Sequence, residues 1–407
     1  MIYKILKDGD ISVTELIYNA RVITPWRVLE NGWVLWENGK IIDVGAGSDL
    51  PCADKATDAE NDYVSPGFID IHTHGGGGHD FMDAEAEGFI AAARAHLEHG
   101  TTTIVPTTVS STNEKLLPVL RAFDEAKKLE EEGKNNGATL WGLHLEGPYF
   151  NLENRGAMDP RYVRDPDPEE IAETLSSSKH IVRWSVAPEL PGAKEMGRML
   201  YERGIVASIG HTMAVYDEAL AAVENGYTLC THLYSAMPGV RRINAFRHAG
   251  VIEAAFATEG LDVEIIADGC HLPQSLLKLI YKEKGAAHIA LITDSMRAAG
   301  QDVTESILGG KDGGLPVIVE DGVAKLPDRT AFAGSIATAD RLIRVMYSLS
   351  GAPIEDVIRM MTETPARIMG MRNKGRLACG FDADIVRFDG DIKVKTVIKN
   401  GKTEFAV

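Results

Sequence analysis

The sequence predicts an α/β protein: a (β/α)8 TIM-type barrel carrying a small β-sandwich domain formed from both chain termini. Three observations predict it. From about residue 66 short apolar runs alternate with amphipathic helical stretches, the pattern of repeated βα units around a parallel sheet. Eight such apolar runs can be marked off, the number that closes the sheet into a barrel. Both ends of the chain instead show period-two alternation broken by Asn-Gly pairs, the signal of tight hairpins. The expected boundaries are 1–64 and 372–407 for the β-sandwich domain and 65–371 for the barrel.

Taken in order, "ELIYNARVITPWRVLENGWVLWENGKIIDVGAG" supplies the N-terminal strands, with a hairpin turn at Asn38-Gly39. The barrel strands are then "YVSPGFIDIHTH", "TTTIVPTTV", "ATLWGLHLEGP", "IVRWSVAPEL", "GIVASIGHT", "YTLCTHLYSAM", "LDVEIIADGCH" and "HIALITDSM". Between them lie helix patterns such as "DAEAEGFIAAARAHLEHG" and "MAVYDEALAAVENG", each closed by a glycine suited to a left-handed C-cap. The stretch from Gln301 to Arg329, with "GGKDGG" and Asp321-Gly322, is an excursion expected to cover the barrel mouth. Helices follow in "SIATADRLIRVMYSLSG" and "IEDVIRMMTETPARIMG", the last expected to pack under the barrel. "GFDADIVRFDGDIKVKTVIKNGKTEFAV", with its Asn400-Gly401 turn, returns to the first domain.

Composition limits the function classes. With 44% apolar and 25% charged residues over 407 positions, the chain is an ordinary globular one. Its net charge of −17 argues against nucleic acid or an anionic membrane as partner, since either needs a broad basic face. No apolar run approaches the roughly 18 residues that span a bilayer, and a cytoplasmic protein is expected. Four cysteines in so long a chain form no disulfide framework. Cys230 and Cys270 fall in strand-like runs, read as small buried hydrophobes and are not counted as ligands. Any anionic substrate must find a local positive patch, for which "SAMPGVRRINAFRHAG", with Arg241, Arg242, Arg247 and His248, is the candidate.

Catalytic groups of such a barrel sit at the C-terminal ends of its strands. The first strand ends in His72 and His74, which alternation places on one face; the third ends in His144 and Glu146. His211, His232, His271 and Asp294 end the fifth to eighth. Half of the twelve histidines therefore converge on one rim. Any one of them alone reads as a hydrogen-bonded core residue, but six buried imidazoles without partners would cost stability without return. Imidazoles and carboxylates are the ligands that hold zinc or ferrous iron with a position left open. Glu146 is assigned as the bridge between a site holding His72 and His74 and a site holding His211 and His232. His144 is read as orienting a ligand. Asp294 stands where a carboxylate takes a proton from activated water and hands it to a leaving group. The run Gly75–Gly78 allows close approach of backbone to a metal or substrate, or a phosphate nest. His96 and His99 read as helix C-terminal residues facing the dipole, and His180 and His288 as solvent-facing.

In order along the chain, "PGFIDIHTHG", "HLEGPYF", "SIGHT", "THLYSAMP", "ADGCH", "LITDSM" and "FAGS" resemble the N-acetylglucosamine-6-phosphate deacetylases of the amidohydrolase superfamily. The resemblance covers nearly the whole chain. It implies a divalent-metal-dependent hydrolase, one or two zinc or iron ions per subunit, that removes acetate from an amino-sugar phosphate as a homodimer. Glu146, His211 and His232 match the family's main metal ligands, His72 and His74 a second site that some members retain, and Asp294 its catalytic acid/base. His271 matches a contact to sugar hydroxyls, Ser235 and Ala236 a pair lining the sugar site, and Phe332, Ala333 and Gly334 a substrate-lining turn. Arg247, in "FRHAG", matches an arginine that reaches the phosphate across the dimer interface. Two positions depart from the pattern. Met158, beside Ala157 in "NRGAMDP", stands where some members place a histidine that steadies the acetyl carbonyl, and a thioether cannot donate that hydrogen bond. Ser235 stands where the family often has asparagine.

Two rivals are weaker. The nearer is another member of the superfamily, a cyclic-amide hydrolase or a deaminase; cyclic-amide hydrolases commonly bridge two metals with a carboxylated lysine at the end of strand four, and "IVRWSVAPEL" has no lysine. A non-catalytic barrel scaffold would normally have lost ligands, and here the set is complete.

Overall fold

The computed structural model describes residues 13–407; residues 1–12 of the expected N-terminal portion lie outside the described residues. Eight parallel strands form the barrel: β1 (Phe68–Thr73), β2 (Thr101–Thr108), β3 (Leu143–Glu146), β4 (Ile181–Val186), β5 (Val206–Ile209), β6 (Tyr227–Cys230), β7 (Asp262–Ile265) and β8 (Ile289–Leu291). They pair in sequence order. The ring closes where β8 returns to β1: the Asp294 N–H donates to the His72 carbonyl at 2.9 Å and the His74 N–H to the Ser295 carbonyl at 2.8 Å. Strands β1 and β2 are buried at every residue, as apolar runs covered on both faces must be.

Helices shield the outside. Ala86–Leu97 and Tyr216–Glu224 follow β1 and β5, and the glycines beyond them, Gly100 and Gly226, take left-handed φ of 91° and 95°. The "IEDVIRMMTETPARIMG" segment is not one helix but two, Ile354–Met360 and Glu363–Ile368. The break frees the Met361 carbonyl to accept the Ile69 N–H at 2.8 Å, sealing the bottom of β1. Beneath the ring Ala366, Met369 and Met371 pack on Ile69, Ile71 and Val105.

The two termini meet in one eight-stranded sheet, in which the strand Tyr63–Pro66 lies between Thr14–Ile23 and Ile385–Phe388. Backbone bonds from Ile41 to Phe381 and from Ala383 to Gly39 fold the sheet over an apolar layer that includes Ile17, Val34, Trp36 and Ile385. Both Asn-Gly turns have positive φ at both residues, 52° and 74° at Asn38-Gly39, 48° and 77° at Asn400-Gly401. The excursion after β8 is a three-stranded antiparallel sheet, Glu305–Leu308, Leu315–Glu320 and Val323–Lys325, lying against the mouth of the barrel. Among the described residues no helix is long and apolar enough to cross a membrane.

Candidate active site

His72 and Glu146 lie on strands, so their aim follows from the pleat. His211, His232 and Asp294 are set by the turns just beyond β5, β6 and β8, where each takes a positive φ of 47°, 27° and 46°. Such backbone is sparsely populated for residues with a Cβ and persists only where surrounding bonds over-determine it. For Asp294 those bonds are its N–H to His72 and its carbonyl, which accepts from the Ser335 N–H at 2.7 Å.

These turns gather five ligand-type side chains and Asp294 around one point. His211 Nε2 and His232 Nε2 lie 3.3 and 3.1 Å from Glu146 Oε1, and His74 Nε2 lies 3.2 Å from Glu146 Oε2. Asp294 Oδ1 is 3.1 Å from His74 Nε2 and 3.5 Å from His72 Nε2. His72, His74 and Glu146 form one group, and Glu146, His211 and His232 a second, with the ligand atoms of each within 4.8 Å of one another. All are buried.

The far side of each ring decides which nitrogen is bare. His74 Nδ1 faces the Thr107 carbonyl at 3.2 Å and His211 Nδ1 the Asn154 carbonyl at 3.1 Å, so both Nδ1 atoms carry the proton and donate it. His72 Nδ1 faces the Glu264 carboxylate at 3.3 Å. The Nε2 lone pairs of these three rings are thereby turned inward, the arrangement that orients imidazole toward a metal, whereas His232 Nδ1 is buried without a partner. His72 Nε2 is buried without a well-formed hydrogen bond, its neighbours being Glu146 Oε1 at 3.4 Å and Asp294 Oδ1 at 3.5 Å. Burial disfavours charge on His72, yet Glu146 and Asp294 raise its pKa to about 9. Burial likewise opposes ionisation of Glu146, and His72, His211 and His232 nevertheless hold its pKa well below the usual carboxylate range. The cluster therefore calls for positive charge among its carboxylates, and a divalent cation fits both that demand and the inward Nε2 set.

His144 stays outside this centre. Its Nε2 meets Ser185 Oγ at 2.7 Å and its Nδ1 meets Thr107 Oγ1 at 3.1 Å. Burial first, then Arg183, drives its pKa well below the ordinary value, so it is a neutral imidazole packed edge-on against His72 at 4.7 Å between centroids.

The substrate-lining expectations divide. Ala157, Met158, Ser235, Ala236, His271, Phe332 and Gly334 line a cavity of about 240 Å³ over the cluster. Ala333 does not. Its side chain turns the other way, into a core with Met296 and Leu308, and Ala331 lines the cavity instead. Arg247 is absent from the cavity of its own chain. It sits on an exposed hairpin, Arg241–Ile243 paired with Phe246–His248, beyond a left-handed turn at Asn244-Ala245. His271 is fixed by its Nδ1 on Asp268 Oδ2 at 2.9 Å and lies 4.6 Å from the Phe332 ring, centroid to centroid.

The glycine run serves neither metal nor phosphate. Gly75–Gly76 pairs with His79–Asp80, and a Cβ at Gly75 would fall 2.1 Å from the His79 carbonyl oxygen. The N–H groups of Gly75, Gly77 and Gly78 donate to the carbonyls of Ser295, Ala299 and Arg297, so three of the four donors an anion nest would need are already committed. His96 is not a dipole residue. It is buried, its Nε2 sits 3.1 Å from the Gly75 carbonyl and 3.0 Å from Thr73 Oγ1, and burial lowers its pKa to about 4. Cys270 lies in a half-buried turn after β7 rather than within a strand; Cys230 ends β6, fully buried, with its thiol pushed up to about 12 by burial.

Sequence reasoning missed the pair that supports His72. Arg183 on β4 and Glu264 on β7 are both fully buried and ion-paired across the barrel interior. Arg183 also donates to the Ile71 carbonyl at 3.2 Å and to Thr231 Oγ1 at 3.1 Å. A charge inside each apolar strand run was the available signal. Removing one partner strands the other charge in the interior, so Glu264→Ala is expected to destabilise the fold by about 3–5 kcal/mol in urea unfolding. A variant as stable as the parent would contradict the role of this pair.

The amidohydrolase family model matches residues 63–403. The N-acetylglucosamine-6-phosphate deacetylase of Bacillus subtilis is 34% identical, the match covering 96% of this chain and 97% of that one. The N-acetylgalactosamine-6-phosphate deacetylase of Escherichia coli O157:H7 is 29% identical, over 96% of this chain and 99% of that one. Among solved structures, a mutant N-acetyl-D-glucosamine-6-phosphate deacetylase from Mycobacterium smegmatis in complex with N-acetyl-D-glucosamine-6-phosphate is similar with a TM-score of 0.88 and 32% identity. That match covers 97% of this chain and all of the other.

Proposed function

This chain belongs to the amidohydrolase family, and from that membership we propose that it hydrolyses the N-acetyl group of N-acetylglucosamine 6-phosphate to glucosamine 6-phosphate and acetate. The observation that carries the reading is the cluster of inward Nε2 atoms around Glu146 with Asp294 beside it. The relatives named above, alike over nearly their whole length, support the substrate class.

In this reading His72, His74 and Glu146 would hold one divalent cation, and Glu146, His211 and His232 a second. Zinc or iron, when bound, supplies Lewis acidity toward a carbonyl oxygen and lowers the pKa of water toward about 7. Asp294 moves the proton. Burial penalises its charge, but His72 and His74 keep its pKa below the ordinary carboxylate value, so it is ionised and able to accept. It takes the proton of the attacking water and gives it to the amide nitrogen as the C–N bond breaks. His271, with Nδ1 committed to Asp268, has Nε2 free for a sugar hydroxyl, and Ser235 offers a second polar contact on the same side.

The exposed hairpin carrying Phe246 and Arg247 supports a homodimer in which Arg247 serves the phosphate of the neighbouring subunit. Four free cysteines fit a reducing, cytoplasmic setting. Acetate release from N-acetylglucosamine, N-acetylgalactosamine and N-acetylmannosamine, each with and without the 6-phosphate, tests the substrate. N-acetylglucosamine 6-phosphate is expected to be turned over best. Release from none of them, or preference for a sugar lacking phosphate, would overturn the reading.

A further inference from the structure

Beside the catalytic cavity lies a larger one of about 470 Å³ that the mechanism does not use. Four residues, Val109, Ala157, Met158 and Leu308, line both, so the partition is one side chain thick and wholly apolar. Met158 and Leu308 are 8% and 7% exposed.

The partition stands on a definite side of the reacting centre. In the catalytic cavity Ser235, His271 and Phe332 come from the segments after β6, β7 and β8, whereas Val109 and Met158 follow β2 and β3. The polar and aromatic side suits sugar hydroxyls. The apolar side is left for the acyl group, whose tail carries no hydrogen-bonding atoms. Beyond the partition the lining combines apolar Met82, Pro118 and Leu315, against which a tail can lie, with polar groups: Lys115 Nζ donates to Tyr162 Oη at 3.1 Å, and Ser110, 3% exposed, has an Oγ without a hydrogen-bond partner.

We propose that Met158 gates an acyl channel, through which N-acyl amino-sugar phosphates with tails longer than acetyl pass their tails between Val109, Met158 and Leu308 into the second cavity. The inference rests on the deacetylase reading above and sets the range of acids that site releases. A thioether side chain with three rotatable bonds yields to a passing tail as a branched or aromatic one does not. The bond changes are those of the parent reaction. The water oxygen joins the acyl carbon, the C–N bond breaks, the water proton goes to the nitrogen, and a short carboxylic acid leaves.

The test is kcat/KM for N-acetyl-, N-butanoyl- and N-hexanoyl-glucosamine 6-phosphate in the parent and two variants. A closed acyl pocket loses about 10–200-fold for each methylene it cannot hold, whereas the channel predicts all three substrates within about tenfold of one another. Leu315 lines only the second cavity. Leu315→Trp is therefore expected to lower hexanoyl turnover by at least about tenfold while acetyl turnover stays at the parent level. Met158→Phe is expected to depress hexanoyl turnover far more than acetyl. A butanoyl or hexanoyl rate more than about tenfold below acetyl in the parent, or variants that leave the acyl profile unchanged, would overturn the channel. Should Leu315→Trp lose acetyl turnover as well, the Met158→Phe profile decides. Absence of acetyl turnover in the parent protein would instead sink the deacetylase reading itself, and the channel with it.

Discussion

Asp294→Asn is expected to keep its fold and its bound metal while kcat falls by about 10²–10⁴-fold, the share that a positioned acid/base contributes. The substitution is matched to the site. Asparagine is isosteric, tolerates the left-handed φ of 46° that this turn demands, and leaves intact the backbone bonds to His72 and Ser335. What it removes is the ability to accept a proton from water and return it to nitrogen. Circular dichroism and elemental analysis that match the parent, together with lost acetate release, identify the defect as proton transfer. Retained turnover would remove Asp294 from the mechanism.

Glu146→Gln is expected to do the opposite kind of damage, with both metal groups failing at once. Glu146 Oε1 lies 3.3 and 3.1 Å from His211 Nε2 and His232 Nε2, and Oε2 lies 3.2 Å from His74 Nε2, so among the described residues Glu146 alone belongs to both groups. Replacing one oxygen with an amide nitrogen takes away the negative charge and turns an acceptor into a donor facing bare imidazole nitrogens. A ligand that binds only the folded protein stabilises it by about 2.7 kcal/mol at a hundred times its Kd. The parent should show such a gain when zinc is added to stripped protein, and the variant should show little. An unchanged metal-dependent rise in Tm would mean that Glu146 is not the bridge.

The positions at which chemistry gathers could be read directly. Apolar runs of strand length with a histidine or carboxylate at the C-terminal end place those groups at one mouth wherever a βα barrel forms, and no atomic detail is needed for that step. The aim of the side chains could not be read so simply. His211, His232 and Asp294 reach the centre through left-handed turns, and nothing about histidine or aspartate announces a positive φ. The Arg183–Glu264 pair needed the ring order, because its members stand 81 residues apart and meet only when β4 faces β7 across the interior. Gly75 to Gly78 read as a ligand loop, yet a tight hairpin accounts for them: a Cβ at Gly75 would strike the His79 carbonyl, and Gly77 and Gly78 take left-handed φ. Ala333 goes with its neighbours by motif, yet its side chain packs into the core beside Met296 while Ala331, Phe332 and Gly334 face the cavity.

The central claim is that these imidazoles and carboxylates do chemistry through a divalent cation rather than packing the barrel mouth. Acetate release from N-acetylglucosamine 6-phosphate by chelator-stripped protein, measured before and after zinc or ferrous iron is restored, tests it most directly. The account predicts no release from stripped protein and recovery with about one or two equivalents of metal per chain. Full turnover by protein shown to contain no metal would contradict it.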